Sequence, residues 1–470
     1  MKGKFTDTFL LLAPIVLFFI SITCFWFLQH HRVFNLSVGK YGYTYYRIDN
    51  PEKFEVIKVT DQPYQKITDK NLLNWDADGY IILSKEFHSL DKLHLYAFFP
   101  MFPFLLKLFH IPVHYIFLFN FLLFFIGYIF LLKTVKNNDP GYASKKWVWL
   151  VMPLLPSLTV MVLPYTEATA FIAMCLGIFF LLRKNILFTL LFFAISAWCR
   201  PNILMLILSS FFALGLYAFK YKNLKDSFYI LKTLITGLVI GLVSLFAYFY
   251  STSGDFFVFF EAQKVWGTKF QLPKFPFVDY STESFIIDKL LLLVIAPLAI
   301  IRLLFFILKK NSSGSLWDYV ILLSYIYYIM SCLIILFFQG GNLHSLHRYT
   351  LASPLGFILL ADLFTGLKTK ANTFRLILYV CVLLASAIII YTTDNQVFSK
   401  LYHNADRFIF ANIGTFIFVA ILSVIYWSPA INNKRQLIVN ACLIALLFIM
   451  AAFWDSFLYN QFLCRAWLWL

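Results

Sequence analysis

Six short segments of a strongly apolar chain contain residue types that can do chemistry. The first, residues 74–80, reads N-W-D-A-D-G-Y. It places the carboxylates of Asp76 and Asp78 beside the aromatic rings of Trp75 and Tyr80. A sugar site needs this mixture, because aromatic faces cover the ring and a carboxylate can take a hydroxyl proton. A solvated loop turn is the alternative interpretation, favoured by the glycine.

Two tight turns between apolar runs carry isolated charges. Residues 164–167 (P-Y-T-E) place a carboxylate at the membrane surface, where such groups are costly and are usually functional or paired. The alternative is an acid that interacts with a helix dipole. Residues 198–202 (W-C-R-P-N) place a guanidinium at the end of a short apolar run. That arginine needs an anionic partner, either a protein carboxylate or a lipid phosphate.

The remaining three segments are less specific. Residues 96–103 (Y-A-F-F-P-M-F-P) predict an interfacial hairpin or a short helix, because two prolines interrupt any longer helix. Residues 261–267 (E-A-Q-K-V-W-G) fit either a functional segment or an amphipathic interfacial helix. Residues 344–349 (H-S-L-H-R-Y) form a cationic patch suited to phosphate or sugar. His344 and His347 could ligate a metal, but no third ligand is evident, so we predict no metal site.

The composition indicates where these segments must lie. Of 470 residues, 61% are hydrophobic and 13% are charged, whereas a soluble domain is about 45–50% apolar and about 25% charged. These values exclude an ordinary soluble enzyme and a disordered chain. No P-loop, dinucleotide fingerprint or nucleophile elbow is present. The seven cysteines mostly lie in apolar runs without a C-x-x-C pair, which indicates packing rather than disulfides or zinc.

We therefore predict an all-α polytopic membrane protein that forms a single domain over residues 1–470. At about 20 residues per span, we expect about 11–13 transmembrane helices. Residues 9–28 are long enough to be a retained first span rather than a cleaved signal. No internal repeat of the kind found in inverted-repeat transporters is visible. The apolar runs cover residues 9–28, 111–132, 147–163, 168–182, 186–198, 203–219, 233–250, 286–308, 319–338, 350–364, 375–391, 408–427 and 437–454.

Charge in the connecting segments predicts the orientation. Lysine and arginine concentrate in alternate loops, which the positive-inside rule assigns to the cytoplasm. The net charge of +16 is therefore mostly a topology signal and a fit to anionic membrane lipids, and we predict no nucleic-acid partner. The opposite side, extracytoplasmic or lumenal, receives the two longest loops, 29–98 and 252–285, and all the polar segments above.

Taken in order, these segments resemble the PIG-V-like family of GPI mannosyltransferases and its bacterial homologues. Residues 74–80 with 97–103 are similar to the family's W-D-A-x-x-[FY] and A-F-F-P-x-[YF]-P signature. Residues 164–168 are similar to its Y-[ST]-E segment, and 200–202 lie where it has an R-S-N-like motif. His347-Arg348-Tyr349 with Ser353-Pro354 is similar to its later R-[FY] and [ST]-P segment. Pro201 departs from the pattern, as does the spacing at Gly79-Tyr80, so the acceptor can differ.

The resemblance implies a GT-C fold and an inverting transfer of a sugar, mannose in that family, from a polyprenyl- or dolichyl-phosphate carrier to a glycolipid or glycan acceptor. It implies a multi-pass protein of the bacterial inner membrane, or of the ER membrane in a eukaryote, with an extracytoplasmic or lumenal site. Asp76 would be the general base, although Asp78 stays a second candidate. No cofactor or metal is implied. The implied substrate-binding residues are Trp75, Asp78, Tyr80, Tyr165, Glu167, Arg200, Asn202, Gln263, Trp266, His347 and Arg348.

Within that set the resemblance implies separate roles. Arg200 and Arg348 would offset the charge of a departing phosphate, and Glu167, Asp78, Gln263 and Trp266 would hold sugars. A transporter or flippase for a lipid-linked sugar is the alternative, because a cationic outer patch also suits a phosphate-binding gate. A transporter should carry charges at mid-membrane on opposed helices, and few are visible within the apolar runs.

Overall fold

The fold is known from a computed structural model. It describes residues 2–30, 43–46, 56–59, 72–74, 76–86, 88–142, 146–265, 269–274, 277, 285–308, 314–343, 345–366, 414–424 and 434–463. Trp75, His344 and Trp266, all in the polar segments, lie outside these described residues, as does the apolar run 375–391.

Helices make up nearly all of this structure. The α-helices are Lys2–His30, Asp76–Lys85, Met101–Leu108, Ile116–Asn138, Lys146–Val151, Glu167–Leu182, Ile186–Ala197, Ile203–Tyr221, Leu224–Ile230, Thr236–Ser253, Val258–Val265, Phe285–Leu290, Ala296–Leu308, Leu316–Phe338, Leu346–Thr350, Pro354–Gly366, Gly414–Val424 and Lys434–Leu463. Single π-helical turns, Leu231–Ile235 and Leu291–Ile295, join neighbouring α-helices into continuous rods. Shorter 3₁₀ segments are Leu90–Ala97, Val113–Tyr115, Met152–Leu154 and Pro156–Met161.

Seven helical runs among the described residues are long and apolar enough to cross a membrane, and four shorter apolar helices accompany them. The chain is therefore a multi-pass, mostly helical integral membrane protein, as its composition predicts. The seven runs are Leu10–Phe27, Val113–Asn138, Ile203–Tyr221, Leu224–Ser253, Ile287–Leu308, Leu316–Phe338 and Ala441–Tyr459. The shorter helices are Glu167–Leu182, Ile186–Ala197, Pro354–Leu363 and Gly414–Val424.

Two features of the structure are not predicted by the apolar runs. The run 147–163 does not form one helix, because Pro153 and Pro156 divide it into short α and 3₁₀ pieces. The large loop 29–98 contains an antiparallel pair of short strands, Tyr43–Tyr46 and Val56–Val59. These eight residues are a small exception in a protein that is otherwise all-α in the part that the structure describes.

Close helix packing depends on small residues. At Gly241, an added Cβ atom would lie 2.5 Å from the backbone oxygen of Ala194 on the helix Ile186–Ala197. At Gly127, it would lie 2.9 Å from the ring of Phe171 on the helix Glu167–Leu182. Small residues allow this approach of helix backbones within a membrane.

A polar contact ties the first long helix to the last. The Asp455 carboxylate accepts hydrogen bonds from Ser21 at 3.0 Å and from Thr159 at 2.7 Å. Thr159 belongs to the 3₁₀ segment that follows the proline break. This arrangement gives the carboxylate two donors within the helical body, where a solitary charge would be costly.

Candidate functional site

Four charged side chains that are distant in sequence meet at one place. Arg348 donates from Nε and Nη2 to Glu167 Oε1, at 2.9 and 2.6 Å. Its Nη2 also lies 3.5 Å from Asp76 Oδ2, and Arg200 Nη2 lies 3.1 Å from Glu167 Oε1. All four were singled out from the sequence as site residues, and the structure brings them together.

Helix ends position these groups. Asp76 and Glu167 are the first residues of the helices Asp76–Lys85 and Glu167–Leu182. Arg200 precedes the helix Ile203–Tyr221, and Arg348 lies on the short helix Leu346–Thr350. Acids at helix N-termini interact favourably with the helix dipole, so both carboxylates are stabilised where they lie.

Burial decreases across the cluster from Glu167 to Asp76. The exposed fraction of the side chain is 0% for Glu167, 5% for Arg200, 14% for Arg348 and 38% for Asp76. Glu167, which the resemblance implies as a sugar ligand, is fully buried and pairs with both Arg200 and Arg348. The sequence left two kinds of partner open for Arg200, a protein carboxylate or a lipid phosphate. In the structure its partner is the carboxylate of Glu167. Asp76 and Arg348 are the most exposed members of the cluster.

The charges around Asp76 and Arg348 suit proton transfer. Burial raises the pKa of the Asp76 carboxyl, an effect that Glu167 reinforces and Arg348 opposes. Burial alone would lower the pKa of Arg348, but attraction to Glu167 and Asp76 outweighs it and raises that pKa. Arg348 therefore stays charged, and Asp76 is a stronger base than a carboxylate in water.

Two buried side chains fix the turns that carry the cluster. Asn120 Nδ2 donates to the backbone oxygens of Leu163 and, at 3.0 Å, Tyr165. Thr166 Oγ1 donates to the backbone oxygen of Cys199 at 2.8 Å. The turn before Glu167 and the turn before Arg200 are thus connected to each other and to the helix Ile116–Asn138.

A second set of contacts fixes the short helix Leu346–Thr350, which carries Arg348. Asn202 Nδ2 donates to the Tyr327 hydroxyl at 3.1 Å, and that hydroxyl donates to the backbone oxygen of Tyr349 at 2.9 Å. The Arg200 guanidinium lies 5.2 Å from the Tyr349 ring centre. Asn202, predicted to bind substrate, is 8% exposed and makes a structural contact here.

The Tyr165 ring lies against the guanidinium of Arg348. The guanidinium of Arg348 is 5.0 Å from the Tyr165 ring centre. Burial raises the pKa of the Tyr165 hydroxyl, and the negative charge of Asp76 reinforces this effect. The ring therefore stays neutral and supports the guanidinium by a cation–π contact.

His347 is held by Asp288, which lies on the helix Phe285–Leu290. Its side chain is 1% exposed, and Asp288 Oδ1 accepts hydrogen bonds from its backbone N–H at 2.8 Å and from its Nδ1 at 2.9 Å. The structure therefore places His347, predicted to bind substrate, in a buried contact between helices. That contact orients the short helix on which Arg348 lies.

The other predicted site residues are placed differently. Asp78 is exposed, and it lies about 200° around the helix from Asp76 at about 100° per residue. Tyr80 is 5% exposed, and its ring packs edge-on against Phe98 and Phe102. Gln263 is half-buried on the helix Val258–Val265.

Asn120, Thr166, Tyr327 and Asp288 were not predicted from the sequence. Each is a polar residue within or beside an apolar run, which is the signal that could have identified it. Their partners are backbone groups or residues far along the chain, so no local spacing reveals the contacts.

Within the described ranges, no group of three or more His, Cys, Asp or Glu side chains is arranged to hold a metal ion. The prediction that the site works without metal stays a prediction. Comparisons of the chain with protein families, with curated proteins and with solved structures give no match. The functional argument therefore depends on the residues themselves.

Proposed function

We propose that the protein is an inverting glycosyltransferase of the GT-C type that moves a sugar, mannose by resemblance, from a polyprenyl-phosphate carrier to a glycolipid or glycan. The observation that carries the proposal is the half-exposed Asp76 carboxylate beside Arg348, whose orientation the buried Glu167 fixes. A base and a permanent cation side by side are what such a transfer needs. The ordered resemblance to the PIG-V-like family supports the same reaction.

The chemistry follows from these positions. Asp76 would accept the proton of an acceptor hydroxyl as its oxygen attacks C1 of the donor sugar. The bond from C1 to the phosphate oxygen breaks, the configuration at C1 inverts, and the polyprenyl phosphate departs with the bonding electrons. Arg348 would stabilise the charge that develops on that phosphate, because its guanidinium is oriented before substrate arrives. Arg200 would act indirectly, by sharing the charge of Glu167.

The distribution of basic residues supports an extracytoplasmic or lumenal site. The helix Glu167–Leu182 starts at the cluster and is followed by Arg183 and Lys184. The helix Ile203–Tyr221 starts just after Arg200 and ends beside Lys220 and Lys222. The cluster and the basic loops therefore lie at opposite helix ends, and the positive-inside rule places the basic ends in the cytoplasm.

The direct test is sugar transfer by the purified protein in detergent. The protein is incubated with radiolabelled polyprenyl-phosphate mannose and with candidate glycolipid acceptors, and labelled products and released polyprenyl phosphate are counted. We expect equal amounts of both. Glucose- and arabinose-linked carriers in parallel identify the donor sugar. Release of no polyprenyl phosphate from any carrier would contradict the proposal.

One observation favours the transporter alternative. Arg302 Nη2 lies 3.2 Å from Asp362 Oδ2, which also accepts a hydrogen bond from Tyr325 at 2.9 Å. Charges on opposed helices within the apolar body are typical of transporters, and the apolar runs alone do not reveal the pair. Movement of a labelled lipid-linked sugar across proteoliposomes without a new glycosidic bond would support this function instead.

A further inference from the structure

His88 occupies a position between the helix that carries Asp76 and the body of membrane helices. It follows the helix Asp76–Lys85 and is 5% exposed. Its Nε2 lies 3.2 Å from the backbone oxygen of Leu95 and 3.1 Å from that of Phe98. Its Nδ1 lies 2.9 Å from the hydroxyl of Tyr248, on the helix Thr236–Ser253.

These partners determine the tautomer of the ring. Backbone oxygens only accept hydrogen bonds, so Nε2 must carry the hydrogen. Burial lowers the pKa of His88 to about 4, even though the hydrogen bonds to the two carbonyls raise it. The ring is therefore neutral at pH 7, and Nδ1 accepts a hydrogen bond from the Tyr248 hydroxyl. Both ring nitrogens are used for connection, and neither is available for a proton-transfer role.

The segment that His88 holds contacts the Asp76 helix directly. The ring of Phe98 lies against Gly79, where an added Cβ atom would be 3.1 Å from the ring. The same ring packs edge-on against Tyr80, with centres 5.0 Å apart. Gly79 and Tyr80 are three and four residues after Asp76, so they share its face of the helix. The position of Phe98 thus sets the position of Asp76.

The far end of the same segment is anchored to the same membrane helix. The backbone N–H of Met101 donates to the backbone oxygen of Trp198 at 3.2 Å. Trp198 Nε1 in turn donates to the backbone oxygen of Gly241 at 3.0 Å. The segment 88–101 is therefore fixed at both ends to the helix Thr236–Ser253, and His88 is the fixed point nearer to the Asp76 helix.

We propose that His88 is a positioning residue for Asp76. Its neutral imidazole connects Tyr248 to the Leu95 and Phe98 carbonyls and so sets the angle at which the Asp76 carboxylate meets Arg348. The catalytic part of this inference rests on the glycosyl transfer proposed above. The positional part does not, because it concerns only how the Asp76 helix is held.

The test compares three variants in the full-length protein. His88→Gln keeps an N–H that can donate to the same two carbonyls, whereas His88→Leu keeps the bulk without a donor. His94→Leu is the matched control, because His94 is an exposed histidine six residues further along, in the 3₁₀ segment Leu90–Ala97. Amide hydrogen exchange of residues 76–86 and of the helix Thr236–Ser253 is measured for each variant, together with kcat and KM for the lipid-linked donor.

We expect His88→Leu to speed exchange of residues 76–86 by about tenfold, because it leaves two buried carbonyls without a donor. The helix Thr236–Ser253 should keep its protection. We also expect kcat to fall by about 100-fold at nearly unchanged KM, since a misplacement of about 1 Å can cost that much. His88→Gln should restore most of both properties, and His94→Leu should match the wild type.

Two results would overturn the inference. One is wild-type exchange of residues 76–86 in His88→Leu. The other is faster exchange throughout the helix Thr236–Ser253 as well, which would make His88 a general structural residue. If the wild type transfers no sugar, the proposed function fails, while the exchange measurement still decides whether His88 positions the helix.

Discussion

Replacement of Glu167 by glutamine tests whether the cluster is a balanced set of buried charges. The cluster contains two carboxylates and two guanidiniums, and Glu167 contacts both guanidiniums within 3.1 Å at 0% exposure. Glu167→Gln leaves Asp76, partly exposed and 3.5 Å from Arg348, as the remaining acid. Breaking a buried ion pair by removing one partner costs about 3–5 kcal/mol. We expect a loss of that size in the free energy of unfolding, because two cations lose their shared partner.

Thermal unfolding in detergent measures this loss, with size-exclusion chromatography used to monitor the folded fraction. Glu261→Gln is the matched control, since Glu261 pairs with Lys264 at 2.7 Å but both side chains are more than half exposed, at 52% and 66%. Exposed pairs contribute little. Combining Glu167→Gln with Arg200→Met restores the charge balance, so the double variant should be more stable than the sum of the single effects predicts. Unfolding of Glu167→Gln at the same temperature as Glu261→Gln would refute the reasoning.

Three further predictions concern packing, turn geometry and pH. Gly241→Val should lower the unfolding temperature sharply, because its Cβ atom would lie 2.5 Å from a backbone oxygen of the facing helix. Gly215→Val should not, because nothing lies within 4 Å of a Cβ atom at that position. Equal unfolding temperatures of the two variants would contradict this packing. Asn120→Leu should lower the free energy of unfolding by about 1–3 kcal/mol and reduce sugar transfer, because it removes the donor to two buried carbonyls. Wild-type stability and wild-type transfer in this variant would contradict the role of Asn120. Because the pKa of His88 falls from 6.5 to about 4 on folding, its neutral form stabilises the fold above pH 6.5, and this stability is lost as the pH falls toward 4. Between pH 7 and pH 5 the wild type should therefore lose up to about 2 kcal/mol more than His88→Gln, and parallel pH profiles of unfolding would contradict this.

Much of the helical architecture follows from the sequence, because apolar runs of sufficient length have few alternatives in a membrane. The runs 168–182, 186–198 and 203–219 agree closely with the helices Glu167–Leu182, Ile186–Ala197 and Ile203–Tyr221. The run 147–163 shows where hydropathy fails. It is apolar throughout, but its prolines remove backbone donors and divide it.

The sequence identifies the residues of the charged cluster, but it does not show which of them contact one another. Isolated charges beside apolar runs identified Glu167, Arg200 and Arg348. The bond between Arg348 and Glu167 joins residues 181 positions apart, and the contact of Arg348 with Asp76 joins residues 272 positions apart. Local spacing cannot show that Glu167 holds arginines. For the same reason, His347 resembled a surface ligand until its buried partner Asp288 was known.

The central claim is that Asp76 is the base and that Asp78 is not. Single-turnover sugar transfer by Asp76→Asn and Asp78→Asn, with donor binding measured separately, tests it most directly. Asparagine keeps the shape of the side chain but cannot accept the proton, so Asp76→Asn should bind the donor while transferring about 100- to 10,000-fold more slowly. Asp78→Asn should transfer at nearly the wild-type rate, because that side chain is exposed on another face of the helix. Wild-type transfer by Asp76→Asn would contradict the account.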